Sequence, residues 1–146
     1  SEGATLLAGG DRPAGLNAGH YLAPTVLTDV TETMAVYREE TFGPIVSIVP
    51  FDTKTELLRM ANDCEEGGLT AYIFTRNLAR AEHYAASLRY GEIQINGVKY
   101  DINLPHGGIG QSGIGHDCSA LALHDYLVQK RITRALDTTT FGGLNP

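Results

Sequence analysis

Residues 69–96 read LTAYIFTRNLARAEHYAASLRYGEIQIN. The first seven residues are rich in β-branched and aromatic side chains, which is typical of a strand. Asn77 suits an N-cap, and apolar residues then recur at spacings of three and four from 78 to 88, which predicts a helix with one apolar face. Gly91 ends that pattern, and residues 92–96 form a second strand pattern. The stretch therefore predicts a strand–helix–strand unit.

The same order extends upstream. PTVLTDV at 24–30 and IVSIVPF at 45–51 have the composition of strands. Thr53 and Glu56 have the spacing of a capping box, which predicts the start of a helix. Alternating strands and helices predict an α/β fold with a largely parallel sheet flanked by helices.

The two ends of the chain are less regular. Residues 1–20 have no period and predict a surface loop, and residues 31–40 predict a short helical or irregular stretch. Ser119 predicts the cap of a last helix, residues 131–136 a final strand, and residues 137–146 a loose tail. Because no early element covers the sheet and the first residue is Ser, we expect the chain to be the back portion of a larger domain.

Composition excludes several classes of partner. The net charge is −6, which argues against nucleic acid or an anionic membrane as the main partner. No run of about 18 apolar residues is present, so no membrane-spanning segment is predicted. The two cysteines, Cys64 and Cys118, are too few for a disulfide framework, and we expect each to be a buried apolar residue in a cytoplasmic protein.

A glycine-rich loop offers one alternative function. GIGQSG at 108–113 has the G-x-G-x-x-G spacing of a dinucleotide fingerprint, and Asp137 stands beyond the following elements. A small Rossmann-like nucleotide binder would use Gly108, Gly110 and Gly113 in this way. The fingerprint requires its first glycine at the tip of a strand, whereas Pro105 and its neighbours separate residues 92–96 from the glycines. A tight loop with close backbone approach is the other interpretation.

A metal site is a second alternative. His116, Asp117, Cys118 and His124 are residue types that bind metals. A structural zinc site requires four ligands at paired spacings, which these residues do not supply. We therefore predict that these residues lie in a solvated loop and that the chain has no metal site.

Five segments together carry a resemblance to a known family. They are GHYLAPTVLTDV at 19–30, MAVYREETFGPIVSIVPF at 34–51, ANDCEEGGLTAYIFTRN at 61–77, GEIQIN at 91–96 and LPHGGIGQSGIG at 104–115. In order and spacing they resemble the C-terminal third of an aldehyde dehydrogenase, over about residues 4–136. The specific signal is E-E-x-F-G-P at 39–44, followed by G-G-x-x-x-S-G at 107–113. The resemblance implies the C-terminal part of that family's catalytic domain, with 131–136 as an oligomerisation strand.

The resemblance implies roles for two residues in binding NAD or NADP. Glu40 would hold the two hydroxyls of the nicotinamide ribose, and Phe42 would lie against the nicotinamide ring. An ionised carboxylate only accepts hydrogen bonds, so it suits a vicinal diol. The open alternative is that Glu40 is a helix-end charge and Phe42 a core residue. No such role is assigned to Glu39.

The implied reaction is oxidation of an aldehyde to a carboxylic acid through a thioester. Its cysteine nucleophile and its general base lie upstream of the matched region, so the chain would contain no catalytic residue and would be inactive alone. Its partners would be the rest of the enzyme chain, the aldehyde and further subunits of a homo-oligomer. Tyr100 and His106 correspond to the substrate-facing loop.

This sequence departs from the family pattern at three positions. Gly110 replaces the usual Lys, Gly67 replaces an aromatic residue, and His106 replaces a Phe. The form with His resembles branches that act on amine-derived aldehydes. The choice of aldehyde and of NAD or NADP stays open. A truncated binding or assembly module with the same fold, without catalysis, is a further alternative.

Overall fold

The computed structural model describes residues 2–63 and 67–134, in which strands and helices alternate. The strands are β1 (Thr5–Ala8), β2 (Thr25–Thr28), β3 (Ile45–Ser47), β4 (Thr70–Ile73) and β5 (Glu92–Ile95). The α-helices are α1 (Ala35–Arg38), α2 (Lys54–Asn62) and α3 (Leu78–Ser87), and two 3₁₀ helices follow at Gly110–Ser112 and Ala120–Tyr126. The predicted α/β class is confirmed. No helix among the described residues is both long enough and apolar enough to cross a membrane.

The strands form two small sheets. In the first, of order β1-β2-β3, β1 pairs antiparallel to β2, and β2 pairs parallel to β3 with Thr25 opposite Ile45. In the second, β4 and β5 are parallel with Thr70 opposite Glu92. Two of the three pairings are therefore parallel, as a strand–helix–strand order requires.

The prediction of a surface loop for residues 1–20 is wrong at β1. All four residues of this strand are exposed, and the backbone ladder to β2 holds it. The segment carries no alternation of buried and exposed positions, which is the signal by which a strand is recognised in a sequence.

Local capping explains where α2 and α3 begin. The Thr53 hydroxyl oxygen accepts a hydrogen bond from the Glu56 N–H (3.1 Å), as predicted. The Glu56 carboxylate accepts from the Asp52 N–H (2.8 Å), one residue before the position expected of a capping box. Asn77 Oδ1 accepts from the Arg80 N–H (3.0 Å) and confirms the predicted start of α3.

A buried hydrophobic cluster lies where α3 packs on β4. Ile73, Ala81 and Tyr84 are its buried members, and Ala81 is fully inaccessible. The apolar side chains around them are only partly buried, on α2, α3 and β5. The predicted apolar face of α3 therefore does form the core, but that core is small.

The last helix differs from the prediction. Residues 120–126 form a 3₁₀ helix instead of a longer α-helix, although the Ser119 hydroxyl caps it by accepting from the Leu121 N–H (3.2 Å). Leu121 and Leu123 are more than half exposed, and an amphipathic helix without a surface to pack on lacks its main source of stability. Residues 131–134 form no strand within this chain, and the rest of the predicted strand and the tail lie outside the described residues.

Candidate functional site

The segment 39–44 connects α1 to β3 and is held at both ends. The Glu39 N–H donates to the Ala35 carbonyl (2.8 Å) at the end of α1. The Gly43 N–H donates to the Thr41 carbonyl (2.9 Å), which makes a tight turn. The Pro44 carbonyl accepts from the Thr25 N–H (2.8 Å), which fastens the turn to β2. Side chains on this segment are thus displayed from a short, anchored connection.

Glu40 and Phe42 are both displayed to solvent. Phe42 is 92% exposed, so it is not a core residue of the described chain. Glu40 is also exposed. An exposed carboxylate two residues from an exposed aromatic ring offers the two groups that a ribose diol and a planar base would use.

A second cluster forms around His106. Its backbone exchanges two hydrogen bonds with Asp117, from the His106 N–H (3.0 Å) and from the Asp117 N–H (2.8 Å). The His106 Nδ1 atom lies 2.9 Å from Asp117 Oδ1. The Tyr100 and His106 ring centroids are 6.0 Å apart, edge to face at 67°. The structure therefore brings together the two predicted substrate-facing residues and adds Asp117.

Cys118 is also part of this cluster. Its Sγ atom lies 2.7 Å from the Tyr100 hydroxyl, and this hydrogen bond is the largest cause of a raised pKa at Tyr100. Cys118 has a positive φ of 57° and is only half-buried, so the expectation of a buried apolar cysteine is wrong for it. Cys64 lies outside the described residues.

Two cavities adjoin His106. One, of about 390 Å³, is lined by residues 91–94, 99–101 and 104–106 and includes Tyr100 and the carboxylates of Glu92 and Asp101. The other, of about 640 Å³, is lined by the glycine loop together with Leu69, Asp125 and Tyr126. Neither Glu40 nor Phe42 lines either cavity, so the chain presents two separate candidate regions.

Two of the four residues considered as metal ligands, Asp117 and Cys118, bond other side chains, and His116 is bonded through its backbone. Asp117 bonds His106, Cys118 bonds Tyr100, and the His116 N–H donates to Asp125 Oδ2 (3.3 Å). Within residues 2–63 and 67–134, no three His, Cys, Asp or Glu side chains are grouped so that they could hold a metal ion.

The glycine loop does not form a dinucleotide fingerprint. β5 ends at Ile95, well before Gly108, and Gly110–Ser112 form a 3₁₀ turn instead of opening an α-helix. The Gly68 carbonyl accepts from both the Gly91 N–H (2.9 Å) and the Ile109 N–H (3.1 Å). The interpretation as a tight loop with close backbone approach is confirmed, and the Rossmann-like alternative is wrong.

Asp117 lies in a solvated loop, as predicted, but its pairing with His106 was not predicted. It lies eleven positions from His106 and belongs to no helical or strand period with it. The antiparallel bridge between the two residues forms only when the loop between them folds back. A local pattern gives no signal for such a pair.

Comparison with known proteins places the chain in a family. The model of the aldehyde dehydrogenase family matches residues 1–132. Aminoaldehyde dehydrogenase 1 of Pisum sativum, a peroxisomal protein, is 38% identical over the whole chain and 29% of its own length. The betaine aldehyde dehydrogenase of Mesorhizobium japonicum is 43% identical over 90% of the chain and 27% of its own length.

Solved structures of aldehyde dehydrogenases also resemble this chain. Apo betaine aldehyde dehydrogenase of Staphylococcus aureus has a TM-score of 0.84 at 36% identity, over 97% of this chain and 29% of that one. An aldehyde dehydrogenase of Mycobacterium tuberculosis, complexed with NAD⁺, has a TM-score of 0.81 at 35% identity, over 86% of this chain and 26% of that one. The chain thus spans less than a third of the length of these relatives. On the family match and these identities, the chain belongs to the aldehyde dehydrogenase family.

Proposed function

We propose that this chain is the C-terminal part of an NAD(P)-dependent aldehyde dehydrogenase, which oxidises an aldehyde to a carboxylic acid. The observation that carries the proposal is the display of Phe42, 92% exposed, from an anchored turn beside Glu40. Many other apolar side chains of the described residues are exposed as well, so Phe42 supports the proposal because it belongs to the E-E-x-F-G-P segment at 39–44. One similar structure is described as an NAD⁺ complex and another, from E. coli, as an NADP-dependent enzyme, so both cofactors stay open.

The surface of the chain supports its being one part of a larger protein. Its accessible surface is 11,935 Å² for a mass of 15.7 kDa. A compact monomer of that mass exposes about 7,300 Å². Apolar side chains on β3 and β4, such as Val46 and Tyr72, are more than half exposed. The upstream part of the enzyme would cover such surfaces and would supply the cysteine nucleophile and the general base.

The cofactor would be held by residues 40–42. The Glu40 carboxylate would accept hydrogen bonds from both ribose hydroxyls, and the Phe42 ring would limit where the nicotinamide lies. When bound, NAD(P) supplies the oxidising power by accepting hydride. The turn at Gly43 and Pro44 keeps both side chains on a rigid support, so that each acts by orientation.

The substrate would be an amine-derived aldehyde. The relatives described above are named as betaine aldehyde and aminoaldehyde dehydrogenases. In this chain the 390 Å³ cavity beside Tyr100 and His106 is lined by two acidic residues, Glu92 and Asp101, and by one basic residue, Lys99. Carboxylates and an aromatic ring both attract a cationic amine. Assembly as a homo-oligomer and a cytoplasmic location belong to the same proposal.

The test begins with the coding sequence upstream of Ser1. A continuous reading frame that encodes a cysteine nucleophile is expected, and its purified product should reduce NAD or NADP when given betaine aldehyde or 4-aminobutanal. A folded product that reduces neither cofactor with either aldehyde would contradict the proposal. A frame that starts at a Met close to Ser1 would instead favour the non-catalytic assembly module.

A further inference from the structure

His106 and Asp117 are joined through both backbone and side chains. The two backbone hydrogen bonds fix the spacing of the residues, and Nδ1 lies 2.9 Å from Asp117 Oδ1. An ionised carboxylate accepts hydrogen bonds and donates none, so Nδ1 carries the proton in this pair. The orientation of the imidazole is thus set by a backbone-supported contact, which a freely rotating surface pair does not have.

Tyr100 restrains the same ring. Its ring meets His106 edge to face, and its hydroxyl lies 2.7 Å from the Sγ atom of Cys118, the residue after Asp117. The imidazole therefore contacts the Asp117 carboxylate and the Tyr100 ring, and the Tyr100 hydroxyl is in turn bonded to Cys118. Only about a third of the His106 side-chain surface is exposed, compared with 71% for Asp117.

The chemical consequence concerns the other ring nitrogen. In a neutral imidazole with the proton on Nδ1, Nε2 is a hydrogen-bond acceptor. His106 lines the 390 Å³ cavity that also carries the Glu92 and Asp101 carboxylates. Lys99 lines the same cavity, so its charges are mixed. An acceptor nitrogen at such a cavity suits a ligand that has N–H donors, such as a primary ammonium group.

We propose that Asp117 is a positioning residue that holds His106 as the Nδ1–H tautomer, so that Nε2 accepts a hydrogen bond from the ammonium group of an aminoaldehyde. The inference rests on the proposed function, which supplies the aldehyde. It also predicts that this acceptor favours aldehydes with a primary ammonium group over aldehydes with a trimethylammonium group. A trimethylammonium aldehyde such as betaine aldehyde has no N–H to donate, so it gains nothing from this acceptor.

The experiment uses the complete enzyme and two aldehydes, 4-aminobutanal and betaine aldehyde. Asp117→Ala should raise KM for 4-aminobutanal about tenfold, with little change in kcat and little change for betaine aldehyde. Asp117→Asn keeps an oxygen that accepts from Nδ1–H and should restore most of the loss. Glu82→Gln removes an exposed carboxylate on α3, away from both cavities, and should leave both KM values unchanged.

A second readout does not depend on activity. Histidine labelled with ¹⁵N in the enzyme, with the His106 signal assigned through His106→Gln, should show the Nδ1–H tautomer, which Asp117→Ala should lose and Asp117→Asn should keep. An unchanged tautomer in Asp117→Ala, or an equal rise in KM for both aldehydes, would overturn the inference. Failure of the unmodified enzyme to oxidise either aldehyde would instead contradict the proposed function, while the tautomer measurement would still decide the positioning role.

Discussion

The backbone of Gly91 lies so close to the carbonyl oxygen of Gly107 that no Cβ atom fits between them. Gly91 precedes β5, and Gly107 begins the glycine loop. The Gly68 carbonyl accepts hydrogen bonds from Gly91 and Ile109, so it ties the same loop to the start of β4. The loop that carries His106 and Asp117 is thus packed backbone to backbone against the second sheet, which explains why glycine is required at this contact.

Replacing Gly91 tests this packing directly. Gly91→Ala should lower the free energy of unfolding by about 2 kcal/mol or more, because the new methyl group meets backbone that cannot rotate away. Gly97→Ala is the matched control, since a Cβ at Gly97 meets nothing within 4 Å. Urea unfolding of the two variants provides the measurement. Equal stability of both variants would show that the loop moves freely away from β5.

Asn96 joins the ends of β4 and β5 through its side chain. Its Oδ1 accepts from the Thr75 N–H (2.7 Å), and its Nδ2 donates to the Thr75 carbonyl (2.8 Å). Its φ is 54°, which alanine adopts only with strain. Asn96→Ala should therefore cost about 2 kcal/mol, and Asn96→Gly should cost less, because glycine loses the hydrogen bonds without the strain.

Thermal unfolding of the two variants separates the effect of backbone strain at position 96 from the effect of the lost hydrogen bonds. The difference between the two variants measures the backbone strain, and the remaining loss in Asn96→Gly includes the two hydrogen bonds. If Asn96→Gly proved less stable than Asn96→Ala, strain at this position would be excluded as the main term.

The proposed cofactor role of Glu40 is tested in the complete enzyme with its neighbour as control. Glu40→Gln keeps one acceptor oxygen but presents an N–H₂ group to the ribose hydroxyls, so the cofactor should be held in a less defined position. We expect kcat to fall about tenfold or more, with a smaller change in KM for the cofactor. Glu39→Gln alters the adjacent carboxylate, to which no cofactor role is assigned. Single-turnover reduction of NAD(P) at the unmodified rate in Glu40→Gln would exclude the role.

Whether a structural feature could be predicted from the sequence depends on how far apart along the chain the interacting residues lie. The capping side chains Thr53 and Asn77 act within three residues, and both were predicted. The role of Asp117 depends on a loop that folds back to His106, which leaves no periodic pattern in the sequence. Strand β1 is held by its ladder to β2 and has no buried face, so it leaves no such pattern either. The motif at 39–44 suggested its function through resemblance, and the structure adds that Phe42 is exposed.

The ion pair between Glu32 and Arg59 gives a prediction about pH. The two nitrogens of Arg59 donate to the two carboxylate oxygens of Glu32 at 2.8 and 2.5 Å. The hydrogen bond from Arg59 is the largest cause of a lowered pKa at Glu32. A lowered pKa in the folded state stabilises the fold above the ordinary pKa of glutamate, and this contribution disappears as the pH falls through the lowered value.

As the pH falls, Tm should therefore begin to decrease at a similar pH in Glu32→Gln and in the unmodified protein, but it should decrease less steeply in Glu32→Gln. The pair is partly exposed, so the difference should shrink at high salt. Glu82→Gln, at an exposed position of α3, is the control. Tm measured from pH 7 to pH 3 provides the comparison, and identical slopes for the two variants would show that the ion pair contributes nothing measurable.

Residues 131–136 remain the predicted element of assembly. In the isolated chain residues 131–134 pair with no strand, and Ile132 is 84% exposed. A strand added to the sheet edge of a neighbouring subunit would satisfy this backbone and would bury Ile132. Deleting residues 131–146 from the complete enzyme should therefore produce smaller species or insolubility, and Ile132→Asp should weaken the same contact without shortening the chain. Light scattering that shows one oligomer size for all three proteins would exclude the strand as the assembly element.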